Sequence, residues 1–107
     1  MRRDRRRIYQ GLVHRLQDVD PRVTPTTASG ITGLAVQGSF FVGFDAGDGS
    51  LIVRLPQPRI SSLVVAGVGH EIEADGRVVD DRVGIDDPDR WDGFATEALA
   101  FVGHDAA

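Results

Sequence analysis

The sequence contains no cysteine and no lysine, and it has only one tryptophan and one tyrosine among its 107 residues. Without cysteine the chain forms no disulfide and no thiolate metal site, so its stability depends on a hydrophobic core. It also lacks any stretch near the roughly 20 consecutive apolar residues of a transmembrane helix, and no hydrophobic run follows the opening MRRDRRR. The length and these absences predict one cytoplasmic domain, residues 1–107, that does not enter a membrane.

The charges are divided unevenly along the chain. All 12 basic residues are arginine, which is typical of a GC-rich coding sequence. The first 22 residues carry seven arginines against three aspartates, a net charge of +4, and the remainder carries five arginines against thirteen acids, a net charge of −8. Residues 1–7 are predicted to be a disordered basic tail that is either solvated or in contact with nucleic-acid phosphates. Its arginines are Arg2, Arg3, Arg5, Arg6 and Arg7.

Residues 31–55 predict the centre of the fold, because they read as three antiparallel strands joined by glycine-containing turns. Pairing across the loop DAGDGS places Phe44 opposite Leu51, and a three-residue loop Gln37-Gly38-Ser39 extends the register to the first strand. One face then carries Leu34, Val36, Phe40, Val42, Phe44, Leu51, Val53 and Leu55. The opposite face is mixed and is the candidate partner surface, with Phe41, Ile52 and Arg54 as contact residues beside Ala35 and Gly43.

The flanking segments predict helices and one further hairpin. Apolar residues recur at helical spacing in residues 4–18, in residues 57–66 and in a final helix that Asp87 caps and Pro88 begins. Residues 22–30 have the composition of a loop, and Asp75-Gly76 indicates a hairpin between strands at 70–74 and 77–79, with a short strand at 82–85. The predicted order is α-β-β-β-α-β-β-α, an α+β fold in which helices pack on an antiparallel sheet of about five strands.

This pattern resembles a known family over nearly its whole length, from Ile8 to Val102. The matching segments are the first helix, the VTP segment, the strands GLAVQGSFFVGF and LIVRLP, the hairpin HEIEADGRVV, and the closing helix with Trp91 and ALAFV. Together they resemble the TfoX N-terminal-like domains and the related YjbR-type and MmcQ-like domains. The resemblance implies a small α+β domain with a regulatory or DNA-associated role, and it carries over no catalytic residue.

The reactive side chains form no recognisable catalytic or metal-binding pattern. His14, His70 and His104 lie on different predicted elements without metal-ligand spacing. The acids of residues 80–92 and of the DAGDGS loop are oxygen ligands of the kind that Mg²⁺ or Ca²⁺ takes, but helix capping and turn formation account for them. No serine stands in a nucleophile elbow, and no glycine motif matches a phosphate-binding loop. We therefore predict no catalytic, cofactor-binding or metal-binding residue and no cofactor.

These observations favour a non-enzymatic protein-interaction or regulatory module, a monomer or weak homodimer. It would bind an unknown protein partner through the mixed sheet face, the loop of residues 22–30, or both. The alternative is a DNA-associated regulatory module that binds through the N-terminal arginines, with affinity that falls steeply with salt. A third hypothesis, a small hydrolase or metal enzyme, has no convergent set of reactive residues to support it.

Overall fold

The structure is a computed structural model that describes residues 4–28 and 30–105. Within these residues the helices are α1 (Arg5–Val19), α2 (Gln57–Val65) and α3 (Trp91–Asp105). The strands are β1 (Val23–Ala28), β2 (Ile31–Val36), β3 (Ser39–Asp45), β4 (Ser50–Arg54), β5 (Gly69–Ala74) and β6 (Arg77–Ile85). They form an antiparallel sheet in the order β1-β2-β3-β4-β6-β5. The predicted α+β class and succession of helices and strands are confirmed, although the sheet has six strands instead of five.

Capping side chains fix where the first and last helices begin. The Asp4 carboxylate accepts a hydrogen bond from the Arg7 backbone N–H at 3.2 Å and so starts α1. Asp87 acts as a cap as predicted, because its carboxylate accepts from the Asp89 backbone N–H at 3.0 Å. It caps a 3₁₀ turn, Pro88–Arg90, and α3 begins at Trp91 instead of at the predicted Pro88.

The predicted disordered tail is wrong for its last three residues. Arg5, Arg6 and Arg7 form the first turn of α1, because the Asp4 cap satisfies a backbone N–H that a frayed end would leave to solvent. Arg2 and Arg3 lie outside the described residues, so the prediction for them stays a prediction.

The register of the central hairpin is as predicted. Val42 pairs with Val53 and Phe44 pairs with Leu51, so these four side chains share one face of the sheet. The β5–β6 hairpin is also as predicted, since Asp75 and Gly76 both have positive φ (55° and 77°), the geometry of a type I′ turn.

The segment predicted as a loop, residues 22–30, is largely a strand. β1 pairs with β2 along its full length, from Val23↔Val36 to Ala28↔Ile31. Its threonines are β-branched and favour extended backbone. Pro25 is tolerated because β1 lies at the edge of the sheet, where a missing N–H leaves no neighbouring strand unpaired.

The β2–β3 hairpin departs from the predicted register through a bulge. Its turn has two residues, not three, and both Gln37 and Gly38 have positive φ (51° and 84°). The pairing shifts between Leu34 and Ala35, which leaves Phe41 as an extra residue on β3.

The bulge exchanges the predicted faces of two phenylalanines. Phe41 is fully buried in the core between sheet and helices. Phe40 lies on the opposite face, where its ring covers Gly33 and Gly43 so closely that a Cβ atom at either glycine would contact it. The predicted placement of Phe40 in the core and of Phe41 on the mixed face is therefore wrong.

The core fills the space between the helices and one face of the sheet. Its buried sheet residues are Val23, Leu34, Val36, Phe41, Val42, Leu51, Val53, Val83 and Ile85. Trp91 of α3 is buried against them and donates a hydrogen bond from Nε1 to the Ile85 carbonyl at 2.8 Å. Phe44 stacks on Tyr9 of α1 and meets Trp91 edge-on, which links α1, β3 and α3 through aromatic contacts. Among the described residues, no helix has the length and apolar character that crossing a membrane requires.

Candidate functional site

The predicted partner face does not present the residues on which the prediction rested. Phe41 is in the core, and Ile52 is only 1% exposed on the opposite face. Arg54 remains half-exposed, with Nε 3.7 Å from Oδ2 of Asp81. Burial therefore excludes Phe41 and Ile52 from an exposed contact surface.

The outer hairpin partly covers this face. A cavity of about 400 Å³ lies between the tip of the β5–β6 hairpin and the sheet. It is lined by Ile31, Phe40 and Ile52 from the sheet and by Ile72 and Val79 from the hairpin. The Arg82 guanidinium lies 4.9 Å from the centroid of the Phe40 ring, so it covers that ring as a cation–π partner.

Two of the N-terminal arginines predicted to contact nucleic acid are packed against the domain. Arg5 donates from Nη1 to the carbonyl oxygen of Gly49 at 2.9 Å and to that of Asp86 at 2.6 Å. The Arg6 guanidinium lies 5.9 Å from the centroid of the Phe44 ring. These contacts give Arg5 and Arg6 structural roles within the fold.

An apolar groove of about 210 Å³ lies between α2 and the β5–β6 hairpin. Ile60 and Val64 line it from the helix, and Val79 lines it from the hairpin. At its border Val65 is 89% exposed and Val78 is 52% exposed. Both valines line the groove and therefore add exposed apolar surface to it.

The charges around this groove are mainly acidic. Glu71 and Asp80 are exposed and line it. The basic residue of its lining, Arg82, is paired with the Phe40 ring and lies 3.7 Å from Asp81. The groove therefore combines apolar walls with a rim that attracts positive charge.

The basic group of α2 is directed away from the groove. Arg59 donates to the Glu97 carboxylate of α3 from Nε at 2.9 Å and from Nη2 at 3.1 Å. The hydrogen bond to Glu97 raises the pKa of the Arg59 guanidinium, and the Coulombic attraction adds to it. The pair joins α2 to α3 and leaves the acidic rim without compensation from this arginine.

A second cluster of functional groups lies where the β3–β4 turn, the start of β5 and the end of β6 meet. Nε2 of His70 is 3.2 Å from Oδ2 of Asp48, and Nδ1 of His70 is 3.3 Å from Oδ2 of Asp86. The potential metal-ligand atoms of the three side chains, a ring nitrogen and two carboxylate oxygens, lie within 4.8 Å of one another. The buried Ser50 hydroxyl donates to Oδ2 of Asp48 at 3.1 Å. All three side chains of the cluster remain accessible to solvent ions.

The sheet register and one arginine hold this cluster in place. His70 pairs with Gly84, and its ring lies on that glycine so closely that a Cβ atom at residue 84 would overlap the imidazole. Arg5 bridges the Gly49 and Asp86 carbonyls and thereby ties together the two segments that carry the carboxylates.

Sequence reasoning missed this cluster because its members are far apart in the chain and fit no ligand spacing. Turn formation accounted for Asp48, and His70 was one of three histidines on separate elements. The signal that could have found them is the pairing of His70 with Gly84, which requires the register of the outer hairpin.

Comparison with protein-family models, with curated proteins and with solved structures finds no match to this chain. The resemblance to the TfoX N-terminal-like domains therefore stays a prediction.

Proposed function

We propose that this chain is a non-enzymatic protein-interaction module that binds a basic, apolar segment of a regulatory partner in the groove between α2 and the β5–β6 hairpin. The observation that carries the proposal is the pair of exposed valines, Val65 and Val78, on one apolar groove. The exposed acids Glu71 and Asp80 at the same groove supply the charge complementarity that selects a basic partner.

The expected interaction is reversible. A partner that covers both valines gains about 1.5–3 kcal/mol from each fully buried side chain. Association costs several kcal/mol in lost translational and rotational freedom, so this gain supports a modest affinity that nearby contacts must complete. The acidic rim contributes chiefly to the rate of encounter and to partner choice, and added salt should slow binding.

A peptide-display selection on the folded full-length chain tests the proposal. We expect the enriched peptides to combine arginine or lysine with large apolar residues. The tightest peptide is then synthesised, and its binding is measured by fluorescence anisotropy. Val65→Asp and Val78→Asp should each weaken binding at least about tenfold, which corresponds to 1.4 kcal/mol.

Val19→Asp is the matched control, because Val19 is 64% exposed and lies on α1, outside the groove lining. It should bind the peptide as the wild type does. Enrichment of acidic peptides, or equal binding by the Val65, Val78 and Val19 variants, would contradict the proposal. Turnover of a small-molecule substrate by the pure protein would replace it with an enzymatic function.

The alternative, a DNA-associated module, rests on the remaining N-terminal arginines. Arg7 is exposed, Arg2 and Arg3 lie outside the described residues, and the net charge of −8 after residue 22 opposes the approach of DNA. A salt titration with a nonspecific duplex compares the wild type with the triple variant Arg2→Gln, Arg3→Gln and Arg7→Gln, which retains the structural arginines. Salt-sensitive binding that the triple variant loses would favour the alternative.

A further inference from the structure

The His70 ring has a carboxylate at each of its two nitrogens. A neutral imidazole carries one N–H, so it can donate to only one of the carboxylates of Asp48 and Asp86. The second nitrogen then directs a lone pair at a carboxylate oxygen a little over 3 Å away, with Nε2 at 3.2 Å and Nδ1 at 3.3 Å. A metal ion between this nitrogen and the carboxylate oxygen would bind both lone pairs and balance the arrangement.

We propose that the cluster is a site for one divalent transition-metal ion of the zinc class. Nε2 of His70 and the carboxylate of Asp48 are its protein ligands, and water completes the coordination. Imidazole nitrogen together with carboxylate oxygen is a ligand set suited to zinc and its neighbours, whereas Mg²⁺ and Ca²⁺ take oxygen ligands. The 3.2 Å between Nε2 and Oδ2 matches two ligands that each lie about 2.0–2.2 Å from one ion.

Two contacts distinguish Asp48 from Asp86 in this site. Asp48 is oriented by the buried Ser50 hydroxyl at 3.1 Å, so its Oδ2 atom is held beside Nε2. Asp86 is the more exposed carboxylate, and its Oδ2 atom lies 3.3 Å from Nδ1 of His70, on the side of the ring away from the proposed metal ligand Nε2. A carboxylate behind a ligating histidine fixes the ring tautomer and raises the basicity of the nitrogen that binds the metal.

The bound ion would tie the β3–β4 turn to the first residues of β5. The ligands Asp48 and His70 do not line the groove at α2, although Glu71 and Val78 line both that groove and the depression that contains the two ligands. The two proposals name different binding residues, so either one can fail without the other.

Calorimetric titration of Zn²⁺ into the full-length chain tests the proposal. We expect saturable one-to-one binding and a Tm that rises with zinc concentration, because the ion binds only the folded state. His70→Gln and Asp48→Asn should abolish saturable binding, and Asp86→Asn should weaken it by about 10–100-fold. His14→Gln and Asp18→Asn are matched controls on the exposed face of α1 and should bind zinc as the wild type does.

Gly84→Ala gives a test that leaves both ligands in the sequence. The added methyl group overlaps the imidazole and displaces the ring, so zinc binding should weaken although His70 and Asp48 remain. Circular dichroism of each variant establishes that it is folded. Absence of saturable zinc binding by the wild type, retention of binding by His70→Gln, or equal binding of Mg²⁺ would overturn the proposal. A larger loss in Asp86→Asn than in Asp48→Asn would overturn the assignment of Nε2 and Asp48 as ligands.

Discussion

The two faces of the sheet are built from different kinds of residue. The face toward the helices is packed with branched and aromatic side chains. The other face, the glycine face, carries Gly33 in β2, Gly43 in β3 and Gly84 near the end of β6. Two rings compensate for the missing side chains, because Phe40 covers Gly33 and Gly43, and His70 covers Gly84. On this face the absence of a glycine side chain makes room for an aromatic ring. One of the two rings, that of His70, belongs to the candidate metal site.

The largest expected effect separates the two neighbouring phenylalanines at the bulge. Phe41→Ala should lower the free energy of unfolding by about 3–5 kcal/mol, because the fully buried ring leaves a cavity between sheet and helices. Phe40→Ala should cost less, because its ring lies over the glycines at the border of an existing cavity. Urea denaturation of both variants measures the difference. Equal losses would mean that the two faces are packed to the same density.

A methyl group at Gly33 tests how tightly the glycine face is closed. A Cβ atom there would overlap the Val42 carbonyl oxygen and the Phe40 ring, so Gly33→Ala should cost about 1–3 kcal/mol. Gly11→Ala is the control, because Gly11 lies within α1 with no atom within 4 Å of an added Cβ. That change should stabilise the protein by about 0.5–1 kcal/mol. Thermal or urea unfolding compares them, and a neutral Gly33→Ala would show that the strands separate easily.

The fold was predictable wherever one local pattern decided the outcome. The register across the DAGDGS loop followed from alternating apolar residues, and the turn that leads into the last helix followed from its capping residue. The faces of Phe40 and Phe41 were not predictable, because consecutive aromatic residues fit either register and a single bulge reverses them.

The strand at residues 23–28 and the candidate sites depended on information that no local pattern contains. Pro25 and its polar neighbours are typical of a loop, and only pairing with β2 makes them a strand. The metal cluster requires the positions of three separate segments, and the groove requires the packing of α2 against the outer hairpin. Sequence reasoning therefore supported the class of fold but not the sites.

A smaller loss of stability is expected from a change in α1 at the end of the sheet that carries the candidate metal site. Arg5→Gln removes the charged donor that bridges the Gly49 and Asp86 carbonyls, and it should cost about 1 kcal/mol. Arg7→Gln, an exposed change in the same helical turn, should stay within about 0.5 kcal/mol of the wild type. Chemical denaturation measures the free energy of unfolding of the two variants. Similar values would show that the hydrogen bonds of Arg5 do not stabilise the fold.

The smallest expected effect on stability near neutral pH is that of Tyr9. Its ionisation shows whether water is excluded from the face of the sheet that the helices cover. Burial raises the pKa of Tyr9 from 10.0 to about 12, since removal from water disfavours the phenolate. As the pH rises, the unfolded chain loses its proton first, so Tyr9 contributes to the pH dependence of stability only above about pH 10. Its contribution is fully present below that pH and is lost as the pH rises through about 12.

Because Tyr9 is the single tyrosine of the chain, the ultraviolet absorbance of phenolate measures its ionisation without ambiguity. Titration of the folded protein should show a midpoint well above that of the urea-unfolded chain. Phe44→Ala sharpens the test, because it removes the ring that stacks on Tyr9 with a centroid separation of 5.4 Å. Water then reaches the phenol, and the midpoint should fall toward the unfolded value. A folded midpoint near 10 in the wild type would show that water reaches the aromatic contact between α1 and the sheet. The two faces of the sheet would then differ in the shape of their side chains but not in how well they exclude water.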